Sequence, residues 1–183
     1  MTGTELYTAY AVVGSIRNMV QHFSVGDFSQ WEKFVVDGAT VRTVSPCIAV
    51  YGCGSGVLPG LLKAAYPGSI IYGYGEIDTE MEDLFPNVTL ERRDVDFGPG
   101  TYSGLTILMN LDTQLDDPQF FEQHRSRASY VCVISDDPVE ELVETLQPSP
   151  LFRYTLNYLS ATTAPGKTMR FGTIHAVLWQ GML

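Results

Sequence analysis

The chain has 183 residues, 45% hydrophobic and 17% charged, with 17 glycines and 10 prolines, the size and composition of one compact globular domain with no room for a second. Its 21 acidic against 11 basic residues give a net charge of −10, which excludes a basic face wide enough to grip an extended nucleic-acid duplex. Nine Phe, 10 Tyr and 2 Trp exclude a disordered chain. Cys47, Cys53 and Cys132 are odd in number and lack metal-ligand spacing, so they read as reduced thiols of a cytoplasmic protein. No apolar run approaches the roughly 20 residues a membrane span needs, and the first 25 residues lack a signal-peptide layout. The expectation is a soluble protein that avoids both membrane and secretion.

In chain order, residues Glu5 to Phe23 place Leu6, Tyr10, Val13, Ile16, Met19 and Val20 at helical spacing, and Asp27 can cap a second helix through Val36. These helices, in residues 1–45, are expected to cover the site of a core formed by residues 46–183. From Pro46 the pattern changes to short apolar runs: strands are expected at Cys47–Tyr51, Ser69–Tyr74, Val88–Arg92, Leu105–Asn110, Tyr130–Ser135, Phe152–Leu159 and Thr173–Trp179. Helices fit Val57–Ala65, Thr79–Phe85, Pro118–Ser126 and Val139–Leu146. Runs with little alternation, such as Cys47–Tyr51, suit strands covered on both faces. Alternating strands and helices imply an α/β, Rossmann-like, doubly wound and mostly parallel seven-stranded sheet. The last two strands, joined by a loop with Pro165-Gly166, form an antiparallel C-terminal hairpin.

Tyr51-Gly52-Cys53-Gly54-Ser55-Gly56 follows the first core strand and opens a helix, where glycines let the backbone turn sharply and approach a nucleotide-bearing ligand. Val57 occupies the place of a dinucleotide fingerprint's last glycine. The second strand ends at Glu76, 20 residues past Gly56, where a carboxylate can accept hydrogen bonds from both ribose hydroxyls, with Ile77 beside it. Asp94, after the third strand, can meet an adenine amino group while Val95 packs on the ring.

These features resemble the class I S-adenosylmethionine-dependent methyltransferases, from Cys47 to about Leu183: the Gly-Cys-Gly-Ser-Gly loop, the acids Glu76 and Asp94, and the terminal hairpin. Val50 stands where that family usually carries an acidic residue. Upstream, Phe28-Ser29-Gln30-Trp31-Glu32-Lys33 is similar to the Phe-Asn-Asn-Trp-Ile-Lys segment of eukaryotic and viral mRNA cap guanine-N7 methyltransferases. That resemblance implies S-adenosylmethionine as cofactor, with its carboxylate on Lys33. The other reading of the segment is an amphipathic helix with Phe28, Trp31 and Val35 in the core and Lys33 solvated.

The acceptor side carries fewer signals. Met109-Asn110-Leu111-Asp112 replaces the His-Tyr cluster of the cap enzymes, and Asn110 and Asp112 sit at a strand end beside the topological switch point, where they can position cofactor and acceptor. Tyr158 is a stacking candidate, and Lys167 or Arg170 can meet a phosphate. Ala161–Thr168 mimics a P-loop, yet a strand follows it where that loop needs a helix. Ribose 2′-O-methylation is disfavoured, since no lysine lies between Lys63 and Lys167. The expected partners are a capped RNA 5′ end or a small-molecule methyl acceptor, with a cofactor-binding interaction module as the rival. The compact size also suits a piece of a viral polyprotein working in the host cytoplasm.

Overall fold

A computed structural model of the protein describes residues 3–22, 34–36, 40–42, 47–92, 102–161 and 169–183. At its centre is a seven-stranded sheet of β3 (Cys47–Tyr51), β4 (Ile70–Gly75), β5 (Thr89–Arg92), β6 (Ser103–Met109), β7 (Ala128–Ser135), β8 (Phe152–Ala161) and β9 (Met169–Gln180). The order across the sheet is β5-β4-β3-β6-β7-β9-β8. The first five of these are parallel, and β9 enters antiparallel between β7 and β8. The expected doubly wound sheet and terminal hairpin are therefore present. β3 and β6 are buried at every position, as unalternating apolar runs require when helices cover both faces.

On one face lie α1 (Gly3–His22), α2 (Val57–Ala65) and α3 (Thr79–Leu84), over Ile48, Val50, Ile71, Leu105, Ile107 and Ile134. Close packing here depends on absent side chains: a Cβ on Gly73 would fall 2.6 Å from the Pro59 ring, and one on Gly60 2.5 Å from Phe85. The other face carries α4 (Asp112–Leu115), α5 (Pro118–Arg125) and α6 (Glu140–Thr145), over Tyr51, Tyr74, Leu108, Val131, Val133 and Trp179. Asp117 caps α5 by accepting from the Gln119 amide at 3.0 Å, with Pro118 opening the helix, where a missing N–H costs nothing.

Several expectations are corrected. The second helix expected from Asp27 falls mostly outside the described residues, but at its far end, where it was to reach Val36, β1 (Phe34–Val36) pairs antiparallel with β2 (Thr40–Arg42). Val35, Val36, Thr40 and Val41 are β-branched and favour extended backbone, and Asp37-Gly38 is a dipeptide typical of hairpin connections. In α1 the buried stripe is Ala9, Val12, Val13 and Ile16, whereas Tyr10 is 58% exposed. The strand expected through Asn110 ends at Met109, because Asn110 turns into the left-handed region at φ 49°. The short α4 has no counterpart among the expected elements.

Candidate functional site

The carboxyl end of β3 is where the chain changes character. Val50 faces the α1–α2 side and Tyr51 the other, both buried, and the backbone then turns through Gly52, Gly54 and Gly56 at φ of 75°, 59° and 105°. That region is costly for any residue with a Cβ. At Gly52 a Cβ would also collide with the Met109 carbonyl at the end of β6. The loop is anchored by backbone bonds: Gly52 and Cys53 donate to the Tyr74 carbonyl at 2.9 and 3.2 Å, and Asp78 donates to the Ser55 carbonyl at 3.0 Å. The result is an exposed, side-chain-free ledge at Gly54, leading into the amino end of α2.

Glu76 stands exposed next to this ledge, since its neighbour Gly75 is so close that a Cβ there would lie 3.1 Å from the Gly54 nitrogen. Loop and acid thus meet as the spacing predicts. Ile77 follows Glu76 directly. It is 5% exposed within the core, and its carbonyl accepts from Arg92 Nε at 3.2 Å. Tyr51 likewise turns away, its ring stacking on Tyr74 with centroids 4.7 Å apart on the opposite face; only its backbone leads into the loop.

On the acceptor side, Asn110 is exposed at the carboxyl end of β6, its amide nitrogen donating to the Ile134 carbonyl at 2.8 Å and its Oδ1 accepting from the Asp136 amide at 3.2 Å. It therefore ties the β6 and β7 ends together. Tyr158 lies over Gly172, with its hydroxyl 3.1 Å from Thr8 Oγ1. Arg170 is paired across the hairpin with Ser160, and Asp112 begins α4; the side chains of both lie outside the described residues. So do Lys33, Asp94, Val95 and Lys167 entirely.

A residue that sequence reasoning passed over stands on the ledge itself. Glu5, in the first turn of α1, accepts through Oε1 from the Ser55 amide at 3.0 Å and from the Ser55 hydroxyl. Nothing local in the sequence signals this contact, because it joins residues 50 apart and follows from how α1 packs.

The thiol of Cys53, within the loop, points into the core, and burial is the main force pushing it up to about 12, with the Glu5 charge a smaller contribution in the same direction. Burial likewise raises Cys47 to about 12. Neither is a nucleophile near neutral pH. His124 is wholly buried, edge-on to Tyr51 at 4.5 Å and Phe120 at 4.8 Å, with neither ring nitrogen hydrogen-bonded. Burial lowers it to about 4, so it packs as a neutral ring. Among the described residues no cluster of His, Cys, Asp and Glu could hold a metal ion, and no helix is long and apolar enough to cross a membrane.

No protein-family model matches the sequence, and comparison with curated proteins returns no match. The fold, by contrast, recurs in solved structures. A precorrin-6Y C5,15-methyltransferase from Geobacter metallireducens superimposes with a TM-score of 0.53 at 12% identity, covering 74% of this chain and 79% of its own. An antibiotic-related methyltransferase gives 0.53 at 10% identity, with 73% and 87% covered. A Pyrococcus horikoshii protein described as a candidate RNA methyltransferase gives 0.51 at 15% identity, with 75% and 76% covered. The chain therefore has the Rossmann-like fold of these methyltransferases.

Proposed function

We propose that the protein is an S-adenosylmethionine-dependent methyltransferase whose acceptor is N7 of the guanine in an RNA cap. The observation that carries the cofactor reading is the exposed backbone ledge at Gly54, within a loop of three positive-φ glycines, close to Glu76. In this reading a ligand approaches the loop backbone and Glu76 accepts from both ribose hydroxyls. When bound, the cofactor supplies an activated methyl group on a sulfonium. The loop backbone at Gly54, Glu76 and Lys33 would hold the cofactor so that this methyl group passes to the guanine N7 lone pair, with S-adenosylhomocysteine as the departing product. N7 carries no proton, so the protein needs only to align donor and acceptor and exclude water.

The cap assignment draws its support from the Phe28–Lys33 segment, whose lysine would hold the methionine carboxylate, while Asp94 and Val95 would hold the adenine. A small-molecule acceptor is the second reading. It is favoured by the internal engagement of Asn110 and Tyr158, which leaves less of a clamp for a base than expected.

Calorimetric titration with S-adenosylhomocysteine, with NAD as control, tests the cofactor. Saturable micromolar binding of the first alone is expected, and binding of neither overturns the reading. Methyl transfer to guanosine-capped RNA, competed by a cap analogue, then separates the acceptors; transfer that a cap analogue leaves untouched would sink the cap assignment.

A further inference from the structure

Charge is divided unevenly along the chain. Acidic residues crowd into residues 76–144, whereas residues 6–26 and 145–183 contain no Asp or Glu and carry Arg17, Arg153, Lys167 and Arg170. The fold brings these two acid-free stretches together. α1 runs along β8, with Thr8 Oγ1 3.1 Å from the Tyr158 hydroxyl and the Asn18 amide donating to the Tyr154 hydroxyl at 2.9 Å. A chain of net charge −10 therefore has one edge, built of α1 and the β8–β9 hairpin, whose own residues after Glu5 include no acidic side chain.

The outer surface of α1 is aromatic and open. Tyr7, Tyr10, Gly14 and Arg17 fall on one helical stripe, opposite the buried Ala9, Val12, Val13 and Ile16. Tyr7 is 45% and Tyr10 58% exposed, and a Cβ on Gly14 would meet nothing within 4 Å. Glycine weakens a helix interior, and no contact among the described residues calls for one there. Elsewhere among the described residues, Lys63, Arg92, Arg125 and Arg153 bond to carbonyls or carboxylates and Arg127 lies over the Tyr102 ring; Arg17 is exposed and has no such partner. The stripe starts at the ligand end of the molecule. β7 ends at Ser135, which pairs with His175, and Tyr158 pairs with Gly172 beyond that point. The first turns of α1 thus overhang the carboxyl ends of the parallel strands, where Glu5 meets the glycine loop, and the stripe leads away from there over about 15 Å.

Exposed tyrosines offer faces on which bases stack whatever their sequence, an unpaired guanidinium takes a phosphate, and a bare glycine lets a sugar–phosphate backbone come close. A duplex keeps its bases stacked inside and needs a broad basic surface, which this edge lacks. The stripe also lacks an aliphatic groove into which a partner helix could set its apolar side chains. We propose that α1 guides the single-stranded RNA that follows the acceptor nucleotide, with bases stacked on Tyr7 and Tyr10 and a phosphate on Arg17. This rests on the RNA-acceptor reading above and adds to it the partner beyond the cap. At a stacked spacing of about 3.4 Å per nucleotide, the stripe spans about four nucleotides.

The test follows the fluorescence anisotropy of a labelled, uncapped single-stranded RNA octamer with the wild-type protein, Y7S/Y10S and R17Q, whose altered side chains are all exposed. Circular dichroism verifies that each variant is folded. The wild type is expected to bind the octamer, and to bind a duplex of the same sequence more weakly. Y7S/Y10S should bind the octamer about tenfold more weakly, and R17Q should lower the slope of log affinity against log salt by about 0.7. An octamer that the wild type ignores, or that all three proteins bind alike, overturns the proposal. So does a duplex held as tightly as the single strand, which would reduce the edge to diffuse charge. Self-association in sedimentation that Y7S/Y10S abolishes, with RNA affinity unaltered, overturns it in favour of a protein docking face. Methyl transfer by the wild type separates the two readings. Transfer to a cap dinucleotide without octamer binding removes only the strand site, whereas octamer binding through the stripe without transfer to capped RNA removes the acceptor reading and leaves the strand site standing.

Discussion

The two faces of the sheet meet at the end of β3 and solve different problems within two residues of each other. Val50 packs into an aliphatic layer under the 20-residue α1 and the 9-residue α2, which bring Glu5 and the start of α2 to the ledge. Tyr51 packs into an aromatic column, with Tyr72, Tyr74, His124 and Phe120 in succession, under helices of four to eight residues. Short helices supply little stabilisation of their own, so large rings supply the burial on that side. The lesson is a division of labour: one face presents ligand-directed groups, and the other holds the strand ends still from beneath.

That division can be broken from the aromatic side. Trp179 is fully buried, edge-on to Phe121 at 5.0 Å, and donates to the Pro148 carbonyl at 2.9 Å. Trp179→Ala should cost about 3–5 kcal/mol of stability in urea unfolding, with S-adenosylhomocysteine affinity preserved in the folded fraction. A matching loss of affinity would show that the faces do not act separately.

His124 gives the next effect, through pH. Its ordinary 6.5 falls to about 4 in the folded protein because burial disfavours the charged ring. The unfolded chain therefore binds the proton more readily, and stability is full above pH 6.5 and declines as pH falls toward 4. The loss amounts to about 3 kcal/mol. His124→Leu should flatten the dependence of the unfolding midpoint over that window; an unaltered pH profile in the variant would assign the acid sensitivity elsewhere.

From the other side, Glu76→Ala should weaken S-adenosylhomocysteine binding by about 1–3 kcal/mol and leave the urea midpoint where it is, because the side chain is exposed. Unchanged affinity in the folded variant would take the ribose away from Glu76. Smallest is Lys63, whose Nζ donates to the Pro67 and Ser69 carbonyls at 2.9 and 2.6 Å after α2. Lys63→Ala should lower stability by about 1 kcal/mol with no effect on ligand, and a ligand effect would mean that α2 transmits strain to the loop.

What could be read from the residues follows the same divide. The glycine loop and Glu76 were legible because each is set by its neighbours along the chain: a strand, a tight turn, a helix start, and the end of the next strand. The parallel sheet followed from alternation, and the terminal hairpin from the brief connection before β9. Glu5 was not legible, since its role arises from packing across 50 residues. Tyr10 and Ala9 could trade places in a helical stripe until the partners of α1 were known, and Val35 and Val36 satisfied a helical spacing while their branched side chains favoured a strand. Tyr51 looked available because it flanks the loop, but alternation along β3 turns its ring into the aromatic core, and Ile77, past the end of β4, is buried in the other.

The position of β9 has a consequence for how the molecule is made. β8 has no sheet neighbour but β9 among the described residues, and β9 is also the strand that covers the edge of β7. During synthesis from the amino end, every parallel strand can emerge and pair while β7 still shows an open edge and β8 waits alone. Exposed edges recruit other chains, and long-range pairing is slow to arrive. The nascent chain thus passes through its most vulnerable moment just before residues 169–180 leave the ribosome. In chains extended by a C-terminal linker, those stalled with β8 outside the ribosome and β9 still inside should be cleaved readily within β8, and chains stalled some 30 or more residues after Gln180 should resist.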